Sequence, residues 1–134
     1  MDLTFNDGNT SEWEPLQFHF HTPSEHTIMG EHMNLEMHVV HLSPTGALGA
    51  VIGIMFDVEK GGNGTNMFLK QMEGLATVAP LTAALSLKGF LQTLDTSEFW
   101  SYDGSLTTPP CTEGVKWSVL KTIQPISTDQ LAIF

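Results

Sequence analysis

The sequence predicts a mostly β fold with short helices (α+β). Glu14–His21 (EPLQFHFH) alternates between apolar and polar side chains, which is the period of a strand. Residues 34–42, closed by a turn signal, and residues 49–58, apolar on both faces, are strand-sized. Helical spacing is confined to residues 65–78 and to a capped start at residues 127–134.

Each element can be justified in chain order. In the first strand Leu16, Phe18 and Phe20 share one face while Gln17, His19 and His21 share the other, and Thr22-Pro23-Ser24 breaks it. Residues 34–42 (NLEMHVVHL) make the second strand, closed by the turn Ser43-Pro44-Thr45-Gly46. Residues 49–58 make a third strand, apolar on both faces as at the centre of a covered sheet. Gly61, Gly62 and Gly64 form a loop. The spacing of Phe68, Met72 and Leu75 predicts a helix over 65–78, a stripe that means core packing, weakened at its far end by Gly74. Residues 85–94 read as a short strand or an extended connection. Residues 104–112 read as a loop, because Pro109-Pro110 continues neither helix nor central sheet. Residues 114–123 make a fourth strand, and Ser127 or Thr128 caps a final helix.

Composition narrows the function classes. With 134 residues the chain is expected to be one domain spanning 1–134, and 41% hydrophobic residues with a mean hydropathy of 0.00 fit a globular fold. Fifteen acidic against five basic side chains give a net charge of −10, which argues against nucleic acid and against an anionic membrane surface. No apolar run reaches the roughly 18 residues of a transmembrane segment, and Met1-Asp2-Leu3-Thr4 is no signal peptide. The single cysteine, Cys111, excludes an internal disulfide framework and a CxxC zinc site, and a lone cysteine is most often buried. Two short sequons begin at Asn9 and Asn63. The acidity, Cys111 and the sequons lean towards a secreted, periplasmic or luminal setting. The apolar end, Leu131-Ala132-Ile133-Phe134, reads as a cut chain.

All six histidines, at 19, 21, 26, 32, 38 and 41, fall in one short stretch of the chain. His19 and His21, two apart on a strand, leave the same face about 7 Å apart along the backbone. That spacing lets two imidazoles converge on one ion. The next strand offers His38 or His41 as a third ligand, on opposite faces. His38 shares its face with Glu36, and a metal-bound imidazole usually gives its other nitrogen to a carboxylate or carbonyl, so His38 is favoured. Three neutral imidazoles with an open fourth position are the donor set of a catalytic zinc site, which lowers the pKa of bound water towards about 7. His26, in a polar loop, is expected to be a hydrogen-bonded structural residue, His32 to be exposed, and His41 to be buried on the far face. Glu25 by itself reads as a solvated loop carboxylate, and Thr107-Thr108-Pro109-Pro110 as a rigid turn.

The motifs together resemble a known family. Gln17-Phe18-His19-Phe20-His21, Ser24-Glu25-His26, Glu36-Met37-His38-Val39-Val40-His41 and Gly104-Ser105-Leu106-Thr107-Thr108-Pro109-Pro110 are similar, in order and spacing, to the α-class carbonic anhydrases. The Thr22-Pro23-Ser24-Glu25-His26 form is nearer the bacterial, plant and algal members. The resemblance implies reversible hydration of CO₂ to bicarbonate and a proton by zinc-bound hydroxide. It makes His19, His21 and His38 the Zn²⁺ ligands, with Gln17 supporting His19 and Glu36 orienting His38, and His26 beside them. Thr107 and Glu25 would orient the hydroxide. Val40, Val51, Leu106 and Trp117 would wall the CO₂ site, and Thr108 would touch bicarbonate. The implied fold is a twisted, largely antiparallel central sheet, here incomplete.

Family members are considerably longer than this chain, so the resemblance also implies truncation at both ends. The proton-shuttle histidine, the carbonyl that supports His21 and a disulfide partner for Cys111 would lie outside this chain. The open strand edges that result invite a second copy or a larger assembly. The competing function is therefore a non-catalytic, zinc-stabilised structural subunit.

Overall fold

The computed structural model describes residues 2–4, 10–45, 48–73 and 86–134. The elements in order are β1 (Asp2–Thr4), β2 (Thr10–Glu12), β3 (Glu14–His21), β4 (Thr27–Ile28), β5 (Glu31–His32), β6 (Leu35–Leu42), β7 (Leu48–Phe56), α1 (Met67–Glu73), α2 (Leu87–Thr93), β8 (Phe99–Ser105), β9 (Glu113–Leu120) and α3 (Thr128–Leu131). The expected mostly β fold with short helices is the observed one. β3, β6, β7, β9 and β8 form a five-stranded sheet in that order, and β1–β2 and β4–β5 form two small antiparallel pairs. No helix among the described residues is long and apolar enough to cross a membrane.

The chain divides into two compact units. The first is Met1–Phe20, Met37–Ile54 and Glu98–Lys121. Its sheet is mixed: β7 and β9 pair in parallel from Ala50–Lys116 to Gly53–Val119, while β8 and β9 pair antiparallel from Phe99–Leu120 to Ser105–Glu113. Val39, Val40, Ala50, Val51, Ile52 and Ile54 are buried on both faces of β6 and β7, and Val115, Trp117 and Val119 on one face of β9. Burial on both faces is why β7 reads as a continuous apolar run rather than as an alternation. β3 lies at the sheet edge, with Leu16 54% exposed.

The second unit is His21–Glu36, Met55–Ser97 and Thr122–Phe134. Here Phe68 stacks on Phe90 with ring centroids 4.1 Å apart, and Phe56 lies 6.3 Å from Phe90. Asn66 caps α1 by accepting from the N–H groups of Phe68 and Leu69. α3 opens with a full capping box between Ser127 and Gln130. Gln130 is buried and satisfied, accepting from Asn66 N–H and donating to Asn66 O and Glu73. A Cβ on Gly61 would stand 2.0 Å from Gln124 O, so only glycine allows this close approach.

Several expectations need correction. Residues 85–94 are neither strand nor extended connection, since α2 occupies Leu87–Thr93. Ser86 accepts from Gly89 N–H at 3.0 Å, and the buried Phe90 and Leu91 supply the apolar face. The 104–112 loop begins later, because Phe99–Ser105 forms β8 by pairing with β9. The helix foreseen over 65–78 is described as Met67–Glu73, and residues 74–78, with Gly74 and Leu75, lie outside the described residues. So do Asn9 of the first sequon and Gly46 of the turn after β6. Cys111 is exposed rather than buried, with φ 56 in the loop after Pro109-Pro110.

Backbone strain at one turn and burial at one histidine each have a measurable consequence. The β4–β5 hairpin turns through Met29 (φ 51) and Gly30 (φ 80), a two-residue loop in which both residues take positive φ. Met29 is 98% exposed, so no packing offsets its left-handed backbone. Met29→Asn should stabilise the chain by about 0.5–1 kcal/mol, seen as a raised urea midpoint with an unchanged m-value. His41 is fully buried, its Nδ1–H donates to Val39 O at 3.0 Å, and its Nε2 has no hydrogen-bond partner among the described residues. Burial lowers its pKa from the usual 6.5. The unfolded chain therefore takes up the proton first, and stability falls as pH drops below about 6.5, by at most about 1.4 kcal/mol per pH unit. Metal-free His41→Phe should show a shallower loss between pH 7.5 and 5.5 than the parent chain in urea unfolding.

Candidate metal centre

The alternation of β3 sets Gln17, His19 and His21 on one face. Gln17 Oε1 accepts from His19 Nδ1–H at 2.9 Å, which leaves the Nε2 lone pair of His19 available as a ligand. His38, buried on β6, sets its ring edge-on to His19 at 5.3 Å and to Trp117 at 4.7 Å. One ring nitrogen from each of His19, His21 and His38 lies within 4.8 Å of the other two. Nitrogens at three corners of a tetrahedral site stand about 3.3 Å apart for bonds of ~2.0–2.1 Å, so small ring rotations bring this set onto one ion. The donor set therefore fits a metal ion of zinc's size and preference for imidazole.

Glu36 is fully buried, and its carboxylate is compensated. Oε2 accepts the backbone N–H groups of Glu25 and His26, each at 2.9 Å, and Oε1 meets His26 Nδ1 at 2.6 Å. Glu36, His26 and His38 also present one ligand atom each within 4.8 Å. Glu25 is exposed, and its Oε2 lies 3.5 Å from His21 Nε2. His32 gives Nδ1 to Ser24 O at 2.6 Å and is exposed, while His41 is buried and bonded to Val39 O. Neither His32 nor His41 belongs to a ligand group among the described residues.

A pocket opens beside His19 and His38. Val40, Val51, Leu106 and Trp117 form its apolar side, while Gln17, Thr107 and Thr108 add polar groups. Trp117 is anchored by donating Nε1–H to Ser105 O at 2.9 Å, and Tyr102 stacks on it with centroids 6.1 Å apart. The loop that carries Thr107 and Thr108 is tied by Leu106 N–H to Thr112 O at 3.0 Å and Cys111 N–H to Thr108 O at 2.9 Å. Sequence reasoning passed over Ser24 and the ring of His32, whose bonds shape the turn before Glu25. The signal was present only as a serine in a polar loop, a pattern too common to single out.

The cluster predicts about one divalent transition-metal ion per chain. Metal analysis after dialysis against zinc should read near one for the parent chain and near zero for His38→Ala. Adding the metal should raise the melting temperature of the parent alone, by ligand linkage.

Comparison with known proteins points to one family. The profile of the eukaryotic-type carbonic anhydrase family matches residues 2–134. A carbonic anhydrase of Klebsiella pneumoniae is 41% identical over 121 residues, covering 88% of this chain and 47% of that protein. The α-carbonic anhydrase of Thermovibrio ammonificans, solved with the inhibitor sulfanilamide, superposes with a TM-score of 0.78 at 38% identity, covering 96% of this chain and 55% of that one. A dioscorin solved in complex with ascorbate reaches a TM-score of 0.79 at 29% identity, covering 99% and 54%. The chain thus spans about half the length of the relatives it matches. With that profile matching residues 2–134, the chain belongs to the eukaryotic-type carbonic anhydrase family.

Proposed function

We propose that the chain catalyses the reversible hydration of CO₂ to bicarbonate and a proton, with Zn²⁺ held by His19, His21 and His38. The observation that carries this reading is a three-imidazole cluster beside a pocket with one apolar and one polar side. Zinc bound by three neutral imidazoles lowers the pKa of a coordinated water towards about 7 and so makes hydroxide available at neutral pH.

The chain's own residues supply the rest. Gln17 holds His19 in the tautomer whose Nε2 binds metal, and Glu36, on the same face of β6 as His38, does the corresponding work there. His26 and two backbone N–H groups hold Glu36 in place and meet its charge. Val40, Val51, Leu106 and Trp117 hold the apolar CO₂ molecule where a strongly hydrated species would be disfavoured. Thr107 accepts a hydrogen bond from the attacking oxygen and donates its own to Glu25, so a lone pair of that oxygen faces carbon. Thr108 contacts the bicarbonate product.

A second reading has its own support. β3 and β8 are the outer strands of the five-stranded sheet, and β8 exposes Trp100 (43%) and Tyr102 (45%). Such edges suit a zinc-stabilised subunit within a larger assembly. Stopped-flow CO₂ hydration on metal-analysed protein separates the two. The enzyme reading expects hydration above the buffer blank and a fall of about 10²-fold in kcat/KM for Thr107→Ala with zinc retained. Full zinc occupancy with hydration no faster than the blank would favour the subunit.

A further inference from the structure

We infer that Ser24 is a positioning residue that sets the direction of the Glu25 carboxylate. The inference rests on the proposed hydratase reading, in which Glu25 receives the Thr107 hydrogen bond.

Ser24 is 1% exposed although it precedes an exposed glutamate. Each of its polar groups is engaged. Its N–H donates to Met33 O at 3.0 Å and its carbonyl meets His32 Nδ1 at 2.6 Å. Its hydroxyl donates to His26 O at 2.6 Å and accepts Met33 N–H at 2.8 Å. The Oγ–His26 O bond closes a ring across Glu25, from the residue before it to the residue after it. On the other side, Glu36 takes the N–H groups of Glu25 and His26. The backbone of Glu25 is thus bracketed by a buried hydroxyl and a buried carboxylate, while its side chain alone stays accessible.

A solvated turn carboxylate requires no such anchoring, since water serves it in any direction. Anchoring from both sides has a purpose where the carboxylate must point at one donor. The bonds of Ser24 run to His26, His32 and Met33 and not to His19, His21 or His38, so its effect should pass through Glu25 and leave metal binding alone.

A double-mutant cycle on the metal-loaded full chain tests this, using Ser24→Ala, Glu25→Ala and the pair. Stopped-flow hydration, zinc content and amide hydrogen exchange at residues 25 and 26 are read for each. Ser24→Ala should lower kcat/KM about tenfold with zinc near one per chain, since small misplacements have effects of this order. Added to Glu25→Ala, it should change the rate less than twofold. Exchange at the Glu25 and His26 amides should accelerate. Should Ser24→Ala fold poorly, His32→Ala removes only the clamp on the Ser24 carbonyl. It should give a smaller loss in the same direction, again absent beside Glu25→Ala. Equal losses with and without Glu25, lost zinc, or unchanged exchange would each overturn the inference. A parent chain that holds zinc without hydrating CO₂ would instead overturn the hydratase reading. Exchange at residues 25 and 26 would then still decide whether Ser24 anchors the turn.

Discussion

The constraint on which this structure turns is the burial of the Glu36 carboxylate. An ionised carboxylate with no exposed surface is tolerable only when its oxygens are met by donors. Two of those donors are consecutive backbone N–H groups and a third is the His26 ring, so satisfying Glu36 dictates the path of the chain through residues 25 and 26. Strand geometry puts Glu36 on the same face of β6 as His38. One buried charge therefore shapes both a candidate ligand's surroundings and the turn that presents Glu25. Replacing it by alanine would leave unmet donors as well as a cavity.

The rest of the fold supplies a rigid platform. β6 and β7 are buried on both faces, so the residues they carry sit on strands with little freedom to move. A metal site needs its ligands held close to their final directions, and strands do this better than loops. The proposed orienting groups, Glu25 and Thr107, come from a less regular part of the chain, the turn after β3 and the loop after β8, each tied by local hydrogen bonds. Loops carry the adaptable groups and strands the fixed ones, a division found wherever a site is built on a sheet.

The legibility of each part in the sequence followed its physical origin. β3 was readable end to end because Leu16, Phe18 and Phe20 alternate with Gln17, His19 and His21, a period contained within the strand itself. The capped start of α3 was readable because the capping box joins Ser127 to Gln130, one helical turn away, and is therefore local. α2 was missed because Gly89 and a single cap give a weak local signal, and its stability comes from Phe90 stacking on Phe68 of α1, far from it in sequence. β8 was missed because Ser101, Asp103 and Gly104 are poor strand formers that β9 recruits by pairing.

What the sequence determined by itself was the chemistry on offer: six histidines gathered between His19 and His41, two of them spaced to share a strand face, and a carboxylate at Glu36 on the same face as His38. Those are short-range patterns, and a two-residue period survives in any context that leaves one face distinct. The sequence favours His38 over His41 through Glu36, and the tertiary structure gathers a ring nitrogen of His38 with those of His19 and His21 while His41 bonds to Val39 O. Only the tertiary structure decided that Thr107, Thr108 and Trp117, from the far end of the chain, line the same pocket as His19. The parallel pairing of β7 with β9 joins segments that α1, α2 and β8 separate in sequence. Long-range pairing of this kind rests on burial and register, and neither is written in the local pattern of either strand.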